Sequence, residues 1–164
     1  MKILGIDPGY ERLGIAVIEK EKNAKDQVLF SECFKTLSSL PHPERLRLLG
    51  QEIERVIEEF RPEALGIETL FFNKNQKTAM HVSEARGSIL YAAASKGLAI
   101  HEFTPGEIKM ALSGYGKSDK DQMIKMVNLL VKVRPGIKYD DEYDAIAAGL
   151  TLSATLGIKA LTKP

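Results

Sequence analysis

Residues 1–20, MKILGIDPGYERLGIAVIEK, decide how the chain folds. Ile3, Leu4 and Ile6 make a short apolar run, the pattern of a strand buried on both faces, and Asp7-Pro8-Gly9 ends it. A carboxylate closing such a strand either makes a turn or meets something cationic, because an unpaired charge inside a protein is costly. Pro8 and Gly9 turn the chain, and Leu13–Glu19 reads as the antiparallel strand that returns beside the first.

Outward from this hairpin, the charged KEKNAKD turn separates it from a third strand, Gln27–Thr36, completing an antiparallel meander. From Pro43 the period changes: Leu46, Leu49, Ile53, Val56, Ile57 and Phe60 recur at helical spacing until Arg61-Pro62 stops them. Ala64–Glu68 is a fourth strand. A helix is expected from about Lys77 to Lys96 with Gly97 as its C-cap, then a fifth strand, Leu98–Phe103. A helical turn around Pro105–Leu112, the loop SGYGKS, a helix from about Asp119 to Lys132 and a last helix from about Asp141 to Leu156 complete the pattern. Ala145, Ala148, Gly149 and Leu152 give that last helix a small, apolar side able to approach a sheet closely. The expected class is α/β: a five-stranded mixed sheet, its first three strands antiparallel, with helices on both faces. Residues 1–157 are expected to form a single domain and 158–164 a frayed tail.

The chain has 164 residues, 44% hydrophobic and 27% charged, enough for one full core. Its formal charge of +1 excludes a uniformly basic protein, so any nucleic-acid face must be local. The lone Cys33 cannot form an internal disulfide, MKILGIDPG acquires an acid and a proline too soon for a signal peptide, and no run has the length of a membrane span. A soluble, cytoplasmic protein is expected.

Four acids fall at element edges: Asp7 after the first strand, Glu68 after the fourth, and Asp141 with Asp144, three apart on one face of the last helix. The helix dipole alone favours acids in a first turn. Four carboxylates brought together repel unless they share a cation, and magnesium takes such oxygen ligands. Two such ions about 3.5–4 Å apart can activate water and stabilise the leaving oxygen in phosphodiester cleavage.

The stretches GIDPGYERLGIAVIE, ALGIETLFFNKN, Ala85-Arg86-Gly87, HEFTPGEIKMALSGYGKSDKDQM and DDEYDAIAAGL, in that order, resemble the RuvC family of Holliday-junction resolvases along nearly the whole chain. The resemblance implies an RNase H-like fold, a homodimer, and two-metal cleavage of four-way DNA junctions in recombination and repair, with Mg2+ as cofactor and manganese as its substitute. It carries the catalytic and metal-binding roles onto Asp7, Glu68, Asp141 and Asp144, and it implies a branch-migration motor of the RuvAB kind as a partner. The chain departs from the family at Glu142 and Tyr143, which stand where two small residues are common, and it lacks a histidine late in the last helix. Asp140 is a rival to Asp141 for the third ligand, or a helix cap.

Phe71, Phe72 and Lys74 follow Glu68; adjacent residues of an extended segment point opposite ways, so one ring packs inward while the other is free to stack on an unpaired base. The resemblance puts the stacking ring at Phe71, with Phe72 its rival. Lys109, Lys117 and Lys120 lie around the Gly-Tyr-Gly loop, placed to hold phosphates, and the resemblance singles out Lys109 and Lys120. Ser118 with Asp121 reads as the cap of the following helix. Arg86 is a candidate buried partner for an acid, and His42, His81 and His101 read as scattered surface or boundary residues without ligand spacing. The predicted 77–96 helix is apolar on more than one side, which suits either core burial or a dimer contact. Three other readings compete: a YqgF-type nuclease, a nucleotide-binding phosphotransferase sharing the Asp-x-Gly turn, and a non-catalytic DNA-binding relative.

Overall fold

A computed structural model describes residues 1–21, 24–70 and 76–161, with side chains except at 76–78 and 158–161. Strands β1 (Lys2–Asp7), β2 (Arg12–Glu19) and β3 (Gln27–Lys35) form the antiparallel meander; α1 (His42–Phe60), β4 (Ala64–Glu68), α2 (Gln76–Ser95), β5 (Ala99–Phe103), α3 (Pro105–Ser113), α4 (Lys120–Leu130) and α5 (Asp140–Leu161) follow. The sheet order is β3-β2-β1-β4-β5, with β4 parallel to both β1 and β5.

The alternation of side chains along a strand sorts β1 into two layers. Leu4 and Ile6 join Leu65 and Ile67 against α1 and α2, where Leu49, Ile53, Ala85 and Ile89 are buried. Ile3, Ala16, Ile18 and Ala64 face the other way, against Ile146 and Leu152 of α5, Ile108 of α3 and Val127 of α4. Asp7 is in step with Ile3 and Gly5, and Glu68 with Ala64 and Gly66, so both acids project toward the layer that contains α5.

That layer is unusually close to the sheet because two strand residues have no side chain. A Cβ at Gly5 would lie 2.2 Å from the main-chain oxygen of Ala145, and one at Gly14 would lie 1.9 Å from that of Asp141. Gly149 answers from the helix, where a Cβ would come within 2.7 Å of Ile18 Cγ1.

Two local expectations are corrected. The cap of α4 is Asp119, whose side chain accepts from Gln122 N while the Gln122 side chain accepts from Asp119 N. Ser118 is buried instead, its hydroxyl 2.6 Å from that of Ser113, because the loop folds back on α3. Helix α5 runs to Leu161, past the expected boundary at Gly157, so part of the expected tail, 158–161, is helical; residues 162–164 are not described. Gly157 sits against Lys20, whose Nζ donates to Ser153 O at 2.8 Å and ties this end of α5 to the end of β2.

Candidate active site

The parallel register Ile6↔Ile67 sets Asp7 and Glu68 side by side at the carboxyl ends of neighbouring strands. Gly14 is the cross-strand partner of Asp7, and its missing side chain admits the first turn of α5. Asp141 and Asp144 are thereby delivered to the same place.

Electrostatics records the crowding. Burial holds Asp7 well above the ordinary carboxylate range, and Asp144, Glu68 and Asp141 each push it further. Burial raises Glu68 to about 7, with Asp144 adding to the shift and Lys109 opposing it. Asp144 is raised by burial against the pull of Lys120. Asp141 is also raised, chiefly by burial.

Asp140 behaves oppositely. Its side chain is 39% exposed, hydrogen-bonded to Lys120, and that bond draws its carboxyl down to about 2. Asp141 is 14% exposed; Arg12 Nε stands 3.3 Å from its Oδ2, yet that oxygen is buried without a hydrogen-bond partner among the described residues. An oxygen left in that state suits a cation that accepts oxygen ligands. Asp141 is among the acids whose charge raises Asp7, whereas Asp140 is bonded to Lys120.

A cleft of about 260 Å³ opens beside these acids, lined by Glu68 and Asp144 on one side and by Lys109, Lys120, Pro105 and Met123 on the other. Lys120 Nζ is 3.4 Å from Asp144 Oδ2. Carboxylates able to hold divalent ions thus face ammonium groups able to meet phosphate oxygens. Lys117 is exposed on the α3–α4 loop and does not line the cleft. Phe71, Phe72 and Lys74 lie outside the described residues. Arg86 is partly buried and pairs with Glu102, while donating to the main-chain oxygen of Glu68 at 3.3 Å, so it braces the end of β4 without taking one of the four acids.

One residue of the site's support escapes sequence reasoning. Glu142 is 1% exposed; Ser31 Oγ donates to it at 2.6 Å, and Arg134 donates through Nε at 3.0 Å and Nη2 at 2.8 Å. The glutamate that departs from the family pattern is thus a strut tying the first turn of α5 to β3 and to the α4–α5 loop. Its only sequence signal is an acid placed between two others.

A mixed sheet with acids at the ends of adjacent parallel strands, met by acids on a crossing helix, is an RNase H-like architecture. The yeast mitochondrial Holliday junction resolvase has this fold, with a TM-score of 0.68 at 16% identity over 93% of this chain and 78% of that one. The family follows from closer matches. Residues 3–152 match the family described as crossover junction endodeoxyribonuclease RuvC, and the chain belongs to that family. It is 44% identical over 150 residues to the Desulfitobacterium hafniense crossover junction endodeoxyribonuclease RuvC, covering 92% of this chain and 90% of the relative. The Thermus thermophilus RuvC in complex with Holliday junction substrate superposes with a TM-score of 0.90 at 30% identity, over 97% of this chain and 96% of that one.

Proposed function

We propose that this chain, as one nuclease domain over residues 1–157, resolves four-way DNA junctions by paired nicks in strands of like polarity, with Asp7, Glu68, Asp141 and Asp144 as its catalytic metal ligands. The observation that carries the reading is the meeting of these acids, all four raised chiefly by burial, beside a cleft in which Glu68 and Asp144 meet Lys109 and Lys120, in a RuvC-family chain. Magnesium held by these carboxylates would supply Lewis acidity at the scissile phosphate and would acidify a water, so no histidine base is needed. Asp7 at the strand end and Asp144 in the helix turn, whose charge raises Asp7, would hold the ion through which the reacting phosphate is positioned. Lys109 and Lys120 hold its non-bridging oxygens and oppose the charge that builds on them. Lys117 and Lys74 contact the flanking backbone, and Phe71, with Phe72 as its rival, stacks on an unpaired base at the branch.

Paired nicking calls for a two-fold dimer. Helix α2 supports one: Ile89 and Ala93 are spent on the core, while Met80 at 63% and Tyr91 at 75% exposure lie on the helix's other side, with Gly87 exposed between them. The partner motor is of the RuvAB kind, and the compartment is the cytoplasm. Among the described residues no helix is long and apolar enough to cross a membrane.

The test is to incubate the full chain with a mobile four-way junction, a linear duplex and a flap, with magnesium or with EDTA. Symmetric, magnesium-dependent nicks confined to the junction are expected; equal cutting of all three substrates, or of none, overturns the reading.

A further inference from the structure

Three side chains scattered between positions 42 and 84 meet outside the acid cleft. His42 is the first residue of α1, and His81 and Glu84 are three apart on α2. Their ligand atoms all lie within 4.8 Å of one another. His42 Nε2 is 2.6 Å from Glu84 Oε2, and the two imidazoles stack with centroids 4.5 Å apart and planes inclined by 28°. We propose that His42, His81 and Glu84 form a second metal site, chemically separate from the acid cleft, for a divalent transition ion of the zinc class.

The donor set selects the ion. Two imidazole nitrogens and one carboxylate suit zinc and its neighbours, whereas magnesium prefers oxygen ligands alone. Three protein ligands with a water completing a tetrahedron is a standard zinc shell. Ligands about 2.0–2.2 Å from such an ion stand roughly 3.3–3.5 Å apart, so His42 and Glu84 need little adjustment and His81 must turn inward by about an ångström.

The framework is already in place. Ser88 Oγ donates to Leu46 O at 3.0 Å, fixing α2 against α1. Tyr10 packs on both imidazoles, with centroids 5.1 Å from His42 and 4.8 Å from His81. The nearby Arg45 is occupied elsewhere: its guanidinium lies 3.7 Å over the Tyr10 ring and donates to Thr36 Oγ1 and Tyr10 O, so it does not compete for Glu84. A simple ion pair between His42 and Glu84 accounts for one short contact but gives the His81 ring nitrogens no hydrogen-bond partner among the described residues. Glu84 is 47% exposed, which gives an ion a route in from solvent. Occupied, the site would clasp α1 to α2 beside Tyr10, three residues beyond Asp7, and act as a brace independent of the nuclease chemistry.

The experiment uses the full chain, stripped with chelator and returned to buffer containing excess magnesium. Cobalt titration should produce the strong visible absorption of a tetrahedral nitrogen–oxygen site, saturating at a single ion per chain, and zinc should displace it and raise the melting temperature. His81→Ala and Glu84→Gln, both changes near the protein surface, should weaken binding at least about tenfold and remove the thermal shift, while Asp7→Asn keeps both. Absence of the band in the parent chain, or an undiminished band in both variants, would overturn the assignment. Loss of the band in Asp7→Asn alone would place the ion in the acid cleft instead.

Discussion

The Cα of Gly14 and the main-chain oxygen of Asp141 are packed so closely that a methyl group on the glycine would sit 1.9 Å from that oxygen. The contact sets how near the first turn of α5 comes to Asp7. Gly14→Ala must lift that turn, and overpacking of this kind costs about 1–3 kcal/mol. A lowered urea midpoint together with weaker magnesium binding by calorimetry is expected; a parent-like metal affinity would separate the seam from the site.

Asp7→Asn should still shift a synthetic four-way junction in a gel, because Lys109 and Lys120 remain, while its nicking falls below detection. The metal-free variant should also melt higher than the parent, since a charge that burial and three acids oppose has been removed. Full cutting by this variant in magnesium would end the metal-ligand assignment.

Asp140 and Asp141 should part company under the same treatment. Asp141→Asn is expected to lose nicking and Asp140→Asn to keep it within a few-fold, because Asp140 is exposed and already bonded to Lys120. Single-turnover rates on a junction decide between them, and the reverse order would make Asp140 the ligand.

Stability should fall as pH rises through neutrality, and Glu32 isolates part of the effect. Burial, with a hydrogen bond that the protonated Glu32 donates to Glu52, raises its carboxyl from 4.5 to about 7. The folded state therefore holds this proton more tightly than the unfolded chain does. The advantage is fully present below about pH 4.5 and is lost as pH climbs to about 7. Allowing for partial solvent screening, the loss is about 1–2 kcal/mol. Glu32→Gln should flatten urea-derived stability between pH 5 and pH 8 and leave cleavage unchanged. Glu68, also raised to about 7, has the same sign but a different readout: magnesium affinity should climb with pH across that region as its proton is lost.

Removing one partner of the Glu142 strut should cost more than its surface position suggests. Arg134→Ala leaves a nearly inaccessible carboxylate with Ser31 alone, for an expected loss of about 1–3 kcal/mol in urea unfolding. Ser31→Ala should cost less. Equal, negligible effects would mean that the pair is solvent-screened.

Much of this architecture was legible in one dimension because it is written in short periods. The apolar run around Ile3, Leu4 and Ile6, and the recurrence from Leu46 to Phe60, reproduce β1 and α1 to within a residue or two, since burial on both faces of a strand or one face of a helix is imposed directly on the sequence. β4 coincides with its expected limits. The acids were legible as element-edge residues and the family resemblance grouped them, but the contacts that set Asp140 and Asp141 apart, the Gly14 seam and the reach of Lys120, join distant segments and leave no local pattern. Asp119 displaced Ser118 as a cap because the serine was drawn into the α3 end. His42 and His81 looked scattered for the same reason, as no local spacing connects the start of one helix to the side of another.

Lys120, bonded to Asp140 and 3.4 Å from Asp144, also bears on when the protein becomes competent. A pocket made only of acids would tie maturation to the supply of divalent ions, as small metal-dependent domains do. An ammonium supplied by the polypeptide eases that dependence at one edge of the pocket, where it offsets Asp140 and Asp144, while Asp7 and Glu68 stay raised. If the acids hold divalent ions as proposed, an ion reaching Asp144 would compete with Lys120 for its carboxylate and would free that ammonium for a phosphate oxygen.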